Sequence, residues 1–282
     1  GAAADVDGDG DLDLVTANGD VNTVSVFLNS GRGTFFLVRE QPVGVGPRSL
    51  AFAAFNGDGR PDLATACQAG NAVSILINLG AGLFAKDAPL PIPGGPTSLV
   101  AGDFNQDGAV DLAVLAGGRN ALGLVGGNGD GSFKTPAWTL YGESPMALAA
   151  ADLDADRYPD IALAFRSTAL SLLNDGSGGF VAGSSLGSVA GISGLALTDY
   201  DGDGRPDAAL LSAEASALVL VRNSLPVSVK RPTPPRNLRA YDTPADLGGR
   251  ITLSWQQPRV DEETGRVTTY EIYRSSSRDG GY

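Results

Sequence analysis

The chain has no histidine, one cysteine and no uninterrupted apolar stretch long enough to cross a membrane. Without histidine it lacks the commonest general base and the commonest zinc ligand. The lone Cys67 excludes an internal disulfide. Positive charge is also scarce, since 20 lysines and arginines face 32 acidic residues, for a net charge of -12. Because nucleic-acid phosphates are bound by basic surfaces, this balance argues against a nucleic-acid ligand.

Glycine and proline are abundant instead, with 39 and 17 residues among the 282. This composition favours many short strands joined by tight turns over long helices. Five acidic segments of nine residues recur at intervals of 47 to 49 residues, beginning at Asp5, Ala54, Asp103, Asp152 and Asp199. A glycine-rich turn keeps the same period and ends at Phe35, Phe84, Phe133 and Phe180. Two landmarks in one register indicate a true internal repeat.

Each repeat reads as strand, acidic loop, strand, turn, strand, glycine-rich turn and strand. Four strands in one repeat of this length are typical of a propeller blade. A helical solenoid would require segments with a period of 3.6 residues, which these repeats lack. We therefore predict an all-β fold, a β-propeller of four-stranded blades with five repeats visible.

The acidic segment of the first repeat is DVDGDGDLD, residues 5–13. We number such loops 1 to 5 along the chain, and their positions from one to nine. Carboxylates at positions one, three, five and nine, with the backbone carbonyl of position seven, offer the six or seven oxygen ligands that calcium prefers. Glycine at position six permits the positive φ of a tight turn. The pattern predicts a calcium site in each loop.

An EF-hand loop begins in the same way, but it requires a following helix and a carboxylate at position twelve. Here position twelve is occupied by Thr16, Thr65, Val114, Leu163 and Leu210, inside strand-like segments. The EF-hand interpretation therefore fails in all five repeats.

The predicted ligands occupy positions one, three, five, seven and nine, and position seven contributes its backbone carbonyl. They are Asp5, Asp7, Asp9, Asp11 and Asp13; Asn56, Asp58, Arg60 and Asp62; Asp103, Asn105, Asp107, Ala109 and Asp111; Asp152, Asp154, Asp156, Tyr158 and Asp160; and Asp199, Asp201, Asp203, Arg205 and Asp207. We expect four to five Ca²⁺ ions, one per loop. Binding should be weakest in loop 2, where Ala54 takes position one, and in loop 4, where Arg157 replaces the glycine.

The nine-residue loop, a preceding G-x-x-P or G-x-x-S segment such as GPRS, and the later G-x-G-x-F turn resemble the FG-GAP or VCBS repeats of integrin-α-like propellers. The resemblance covers about residues 1–225. It implies that the acidic loops are calcium sites in the hairpins between strands, and that the protein is extracellular. We therefore expect a secreted or cell-surface protein of bacterial origin.

Two further expectations concern the ends of the sequence. A proline-rich linker is predicted at 226–235, followed at 236–282 by a segment that resembles the start of a fibronectin type III domain, a partial β-sandwich with Trp255, Tyr270 and Ile272 in its core. Because only four residues precede loop 1, we expect a piece of a longer protein. Its propeller would be a seven-bladed ring, with a five-bladed ring as the alternative.

No nucleophile–base pair is visible in the sequence, and most acidic residues fall in the metal loops. We therefore expect a non-enzymatic adhesion or recognition module that binds an extracellular protein or glycan, without a membrane span. Two alternatives remain open. One is an accessory propeller of a secreted polysaccharide-degrading enzyme, and the other is a structural subunit of a surface layer or filament.

Overall fold

The computed structural model describes residues 1–86, 89–225, 236–242 and 251–256 of the chain. In these residues the only helical element is one 3₁₀ turn, Gly117–Arg119, and everything else regular is β-strand. The strands within residues 1–225 form five consecutive antiparallel sheets, each from one sequence repeat. The chain divides into two compact units, Gly1–Ser228 and Val229–Tyr282.

The first two sheets are complete blades. Blade 1 contains the strands β1 (Ala2–Ala4), β2 (Asp13–Asn18), β3 (Thr23–Asn29) and β4 (Phe35–Pro42). Blade 2 contains β5 (Pro47–Ala53), β6 (Asp62–Cys67), β7 (Ala72–Gly80) and β8 (Leu83–Lys86), with a short β9 (Leu90–Pro91) that also pairs with β7. In both, each strand pairs with the next along the chain, so short turns suffice as connections.

The next three sheets repeat this order. Blade 3 contains β10 (Pro96–Gly102), β11 (Asp111–Ala116), β12 (Ala121–Val125) and β13 (Ala137–Leu140). Blade 4 contains β14 (Ala147–Ala151), β15 (Asp160–Ala164), β16 (Thr168–Asn174) and β17 (Phe180–Ser188). Blade 5 contains three strands among the described residues, β18 (Ile192–Thr198), β19 (Asp207–Ser212) and β20 (Ala217–Val221). The predicted all-β propeller fold with five visible repeats is confirmed, and the seven-bladed ring stays a prediction.

The hydrophobic core lies between consecutive blades. Strands β6, β11 and β15 of the middle blades are buried along their whole length, because a blade covers each of their two faces. Their sequences, such as DLATAC and DLAVLA, are accordingly apolar without alternation. Four buried clusters join blade 1 to blade 2, blade 2 to blade 3, blade 3 to blade 4 and blade 4 to blade 5.

A repeated hydrogen bond crosses three of these interfaces. The side-chain amide of an asparagine near the end of the third strand donates to the backbone carbonyl of loop position two in the preceding blade. The pairs are Asn78 with Val6 (3.1 Å), Asn174 with Phe104 (2.8 Å) and Asn223 with Leu153 (2.7 Å). Blade 3 has Gly127 at this place, and the backbone amide of Gly131 donates to the Phe55 carbonyl instead, at 2.9 Å.

The second unit shows one antiparallel pair, β21 (Arg236–Asp242) with β22 (Ile251–Gln256). The predicted linker at 226–235 lies outside the described residues, as do Tyr270 and Ile272 of the predicted sandwich. The fibronectin type III assignment therefore stays a prediction.

Candidate metal centre

Every acidic loop joins the first and second strands of its blade in the same register. The last residue of the first strand pairs with the aspartate at position nine, which opens the second strand. These pairs are Ala4 with Asp13, Ala53 with Asp62, Gly102 with Asp111, Ala151 with Asp160 and Thr198 with Asp207. The structure thus places the five predicted sites at the same end of successive blades.

The position-nine aspartate pins each loop to the sheet. In loop 4 one oxygen of the buried Asp160 accepts the backbone amide of Leu153 at 2.8 Å, and the other accepts that of Asn174 at 2.8 Å. The other four loops repeat both bonds through Asp13, Asp62, Asp111 and Asp207. A buried carboxylate without such donors would be costly, so this side chain fixes the loop geometry whether or not a cation is bound.

The other acidic positions curl the loop around themselves. In loop 1 Asp5 accepts the amides of Gly8 (2.7 Å) and Gly10 (3.0 Å), while Asp7 accepts that of Asp9 at 3.1 Å. Position five accepts the amide of position seven in all five loops. These bonds fix the acidic side chains of each loop, and each oxygen keeps a second lone pair for a further partner.

Three loops bring carboxylates close enough to share a cation, with oxygen atoms within 4.8 Å of one another. The groups are Asp5, Asp7 and Asp13; Asp152, Asp154 and Asp160; and Asp199, Asp201 and Asp203. All donors are hard oxygens, as calcium requires. In the described residues loops 2 and 3 do not form such an acidic triplet. Asparagine takes position three in both, and alanine takes position one in loop 2.

Loop 4 contains the most buried of these clusters. One carboxylate oxygen of Asp154 is buried and has no hydrogen-bond partner in the structure. Burial, opposed by backbone hydrogen bonds and reinforced by neighbouring carboxylates, raises the pKa of Asp156 and of Asp160 to about 6. The Asp154 oxygen has no partner, and the neighbouring carboxylates resist ionisation. A bound divalent cation would supply that partner and favour the ionised form of the carboxylates. The residues present therefore fit a calcium ion.

The backbone of loop 4 carries the strain that the sequence indicated. Arg157 at position six has φ +71°, in the left-handed region where glycine sits in the other four loops. Position four shows the same conformation, which sequence analysis missed, and Ala155 adopts it with φ +62°. Position four is glycine in loops 1, 2 and 5 and Gln106 in loop 3, so an alternating glycine pattern was the available signal.

Basic side chains reach three of the loops. Arg60 contacts Asp58 of loop 2 at 2.6 Å, and Lys134 lies 3.7 Å from Asp107 of loop 3. In loop 5 Arg222 contacts Asp201 at 2.8 Å and Asp203 at 3.0 Å. The hydrogen bond from Arg222 is the main reason why the pKa of Asp203 lies below its ordinary value. A cation entering loop 5 would compete with this guanidinium.

The asparagine of the third strand is a second feature that sequence analysis missed. Asn174 holds three elements together, because its amide donates to Phe104 of the preceding blade and to Pro159, while its side-chain oxygen accepts the amide of Gly176 at 2.9 Å. The recurring NSG, NLG, NDG and NSL segments carried this signal.

A family profile described as FG-GAP-like repeat matches residues 5–65, 55–114 and 103–163, each match running from one acidic loop through the next. These matches span more than half of the chain. The chain belongs to the FG-GAP-like repeat family. No curated protein sequence gives a significant match.

Several solved structures are similar to the chain at low sequence identity. A lectin of Agrocybe aegerita that recognises non-reducing terminal N-acetylglucosamine is 19% identical, with a TM-score of 0.54 over 79% of this chain and 62% of the lectin. A Lactobacillus plantarum protein is 14% identical, with a TM-score of 0.49 over 76% of this chain and 67% of that protein. The V. cholerae biofilm matrix protein Bap1 is 20% identical, with a TM-score of 0.43 over 70% of this chain and 30% of Bap1. The FG-GAP-like chain thus spans less than two thirds of the lectin.

The described residues contain no helix with the length and apolar character that crossing a bilayer requires.

Proposed function

We propose that this FG-GAP-like propeller is a calcium-stabilised, non-enzymatic recognition module that binds a glycan or protein ligand outside the cell. The observation that carries the calcium assignment is the buried, unpartnered oxygen of Asp154, in a loop design that recurs in all five blades. Calcium would bind the carboxylates at positions one, three and nine in loops 1 and 4, and those at positions one, three and five in loop 5. It would neutralise their mutual repulsion.

The role of calcium would be structural. Each loop is a tight hairpin whose ends are already fixed by the position-nine aspartate, so a bound ion would rigidify the connection between two strands. A ligand would then bind to surfaces that these hairpins hold in place. FG-GAP-like repeats are typical of extracellular proteins, where calcium is abundant enough to occupy sites of moderate affinity.

Glycans are the first ligand class to screen, because a lectin has the same fold. We expect binding to an immobilised glycan panel in calcium and loss of binding after chelation. A parallel assay should detect no cleavage of the bound glycans. Release of cleavage products, with or without calcium, would contradict the proposal, as would failure to bind any member of glycan and extracellular-matrix protein panels.

The metal sites can be tested separately with Asp154→Ala. We expect the number of calcium ions bound per chain to fall by one in calorimetric titration. Asp130→Ala is the matched control, because Asp130 lies outside the metal loops, in the glycine-rich turn of blade 3. Its carboxylate accepts hydrogen bonds from the backbone amide and the hydroxyl of Ser132. An unchanged number of bound calcium ions in Asp154→Ala would mean that loop 4 does not bind calcium through Asp154.

A further inference from the structure

Two interfaces between consecutive blades contain a contact between an apolar side chain and a glycine. The side chain belongs to the third strand of one blade, and the glycine belongs to the glycine-rich turn of the next blade. Leu28 lies 3.3 Å from the place that a Cβ of Gly82 would occupy, and Ile77 lies 3.0 Å from the same place at Gly131. The leucine or isoleucine therefore fills the space that the facing glycine leaves open.

The interface between blades 3 and 4 lacks this contact. Gly126, which directly follows the third strand of blade 3, takes the place of the leucine or isoleucine. At the facing Gly178 the side chain nearest to the place of a Cβ is that of Asn105, at 3.1 Å. Phe180 nevertheless packs edge-on against Phe104, with ring centroids 5.9 Å apart. The two blades thus remain packed, and the absent side chain leaves a gap between them.

A cavity occupies this gap. Its volume is about 150 Å³, and it opens to solvent. Phe104, Leu124 and Val125 contribute apolar side chains to its lining, while Gly126 and Gly178 contribute backbone. A cavity of about 150 Å³ can hold a six-membered ring such as benzene. Mostly apolar walls with a few polar groups are typical of small-molecule sites.

The polar groups of the lining include Asn105 and Ser177. The Asn105 oxygen accepts the backbone amide of Asp107 within loop 3, at 2.8 Å. Its amide nitrogen donates one hydrogen to Asp111 at 3.3 Å, which leaves the second hydrogen for a ligand oxygen. The Ser177 hydroxyl donates to Asp175 at 2.7 Å, so its oxygen can still accept a hydrogen bond. The lining therefore offers one donor and one acceptor beside apolar walls.

We propose that this cavity binds a single pyranose ring of a glycan ligand. The inference rests on the proposed recognition function and assigns its glycan site to the interface between blades 3 and 4. The ring would occupy the volume that leucine or isoleucine fills in the first two interfaces, with its C–H groups against Phe104 and Leu124. Its hydroxyl groups, which both donate and accept, would bond to Asn105 and Ser177. Larger substituents would extend through the opening.

Gly126→Leu tests the site, because it supplies the side chain that the first interface has. The atoms nearest to the new Cβ belong to the flexible side chain of Lys134, at 3.0 Å, so the leucine can be accommodated. In saturation-transfer NMR with calcium present, we expect the parent chain to bind at least one of the methyl glycosides of glucose, galactose and mannose. Gly126→Leu should abolish this binding without lowering the melting temperature. Gly142→Leu is the matched control, because Gly142 is exposed and no atom lies within 4 Å of its Cβ position.

Ser177→Ala tests the same site without filling the cavity. It removes one hydrogen-bonding group and should weaken binding of the methyl glycoside several-fold. Ser132→Ala is its matched control. Like Ser177, Ser132 donates its hydroxyl to an aspartate two residues earlier, but it does not line the cavity.

Each outcome decides the proposal. Binding that is lost in Gly126→Leu, weakened in Ser177→Ala and kept in both controls supports it. Equal binding by Gly126→Leu and the parent overturns it and leaves glycan recognition to another surface. A parent chain that binds immobilised glycans but none of the three methyl glycosides also overturns it. A parent chain that binds neither contradicts the glycan-binding part of the proposed function as well. If Gly126→Leu does not fold, the comparison of Ser177→Ala with Ser132→Ala decides alone.

Discussion

Ala155 adopts a left-handed backbone conformation that costs an L-residue about 1 kcal/mol or more, and glycine avoids this cost. Glycine loses more conformational freedom on folding than alanine does, which offsets about 0.5 kcal/mol of the strain that the substitution removes. We therefore expect Ala155→Gly to raise the free energy of unfolding by about 0.5 kcal/mol, measured by urea denaturation.

Gly202→Ala in loop 5 is the matched opposite change. Gly202 has φ +78°, and no atom lies within 4 Å of the place that an alanine Cβ would occupy, so only backbone strain would act. Stability should fall by about 0.5 kcal/mol or more. Equal stability of both variants and the parent would show that position four carries no backbone strain.

Arg222 is the residue that should limit calcium binding in loop 5. Removing its guanidinium frees oxygens of Asp201 and Asp203 for the ion. We expect Arg222→Gln to tighten the loop 5 site in calorimetric titration, with little change in the melting temperature of the metal-free protein, because exposed ion pairs contribute little stability. Arg166→Gln is the control, as Arg166 pairs with Glu214 away from the loops. Weaker binding in Arg222→Gln would contradict this competition.

Among the structural elements, the hairpin that ends at Asn174 ties two blades together. Asn174→Ala removes three hydrogen bonds in a buried setting and leaves the Phe104 and Pro159 carbonyls short of a donor. We expect a loss of about 3 kcal/mol in the free energy of unfolding. Asn29→Ala, at the equivalent place in blade 1, lacks the bond between blades and should cost about 1 kcal/mol.

Chemical denaturation of dilute protein compares these two variants directly. Similar losses in both would mean that the bond between blades contributes nothing measurable. A loss in Asn29→Ala larger than in Asn174→Ala would reverse the predicted order and contradict the description of the interface.

Sequence periodicity predicted the blades because it is set by strand and turn chemistry, which is local. The position of each acidic loop between the first and second strands followed for the same reason. The recurrence of Asn174 and Phe180 was visible in the sequence, but their contacts were not predicted, since these depend on how neighbouring blades pack. The guanidinium beside Asp203 was also missed, because Arg222 lies nearly twenty residues beyond its partner.

At the scale of the whole molecule, the acidic loops should make stability depend on pH in an unusual direction. Asp156 and Asp160 have a pKa of about 6 in the folded protein, above the ordinary value of 3.8. Between these values the folded state binds more protons than the unfolded state, so stability falls as the pH rises through this window. Metal-free protein should therefore melt at a higher temperature at about pH 5 than at about pH 7.

Calcium should reverse this trend, because it binds the ionised carboxylates and must displace protons below about pH 6. The rise in melting temperature on adding calcium should consequently shrink at acidic pH. Asp156→Asn removes one of the two groups and should flatten the pH dependence of the metal-free protein. A metal-free melting temperature that increases from acidic to neutral pH would contradict the assignment.

The most direct test of calcium-stabilised loops is differential scanning calorimetry of the chain after chelation and after calcium is restored. Ligands that bind only the folded state raise its stability in proportion to the logarithm of their concentration, so several sites should together produce a large increase in melting temperature. We predict such an increase with calcium, and a smaller one in Asp154→Ala, which lacks one of the sites. An identical melting temperature with chelator and with millimolar calcium would contradict the account.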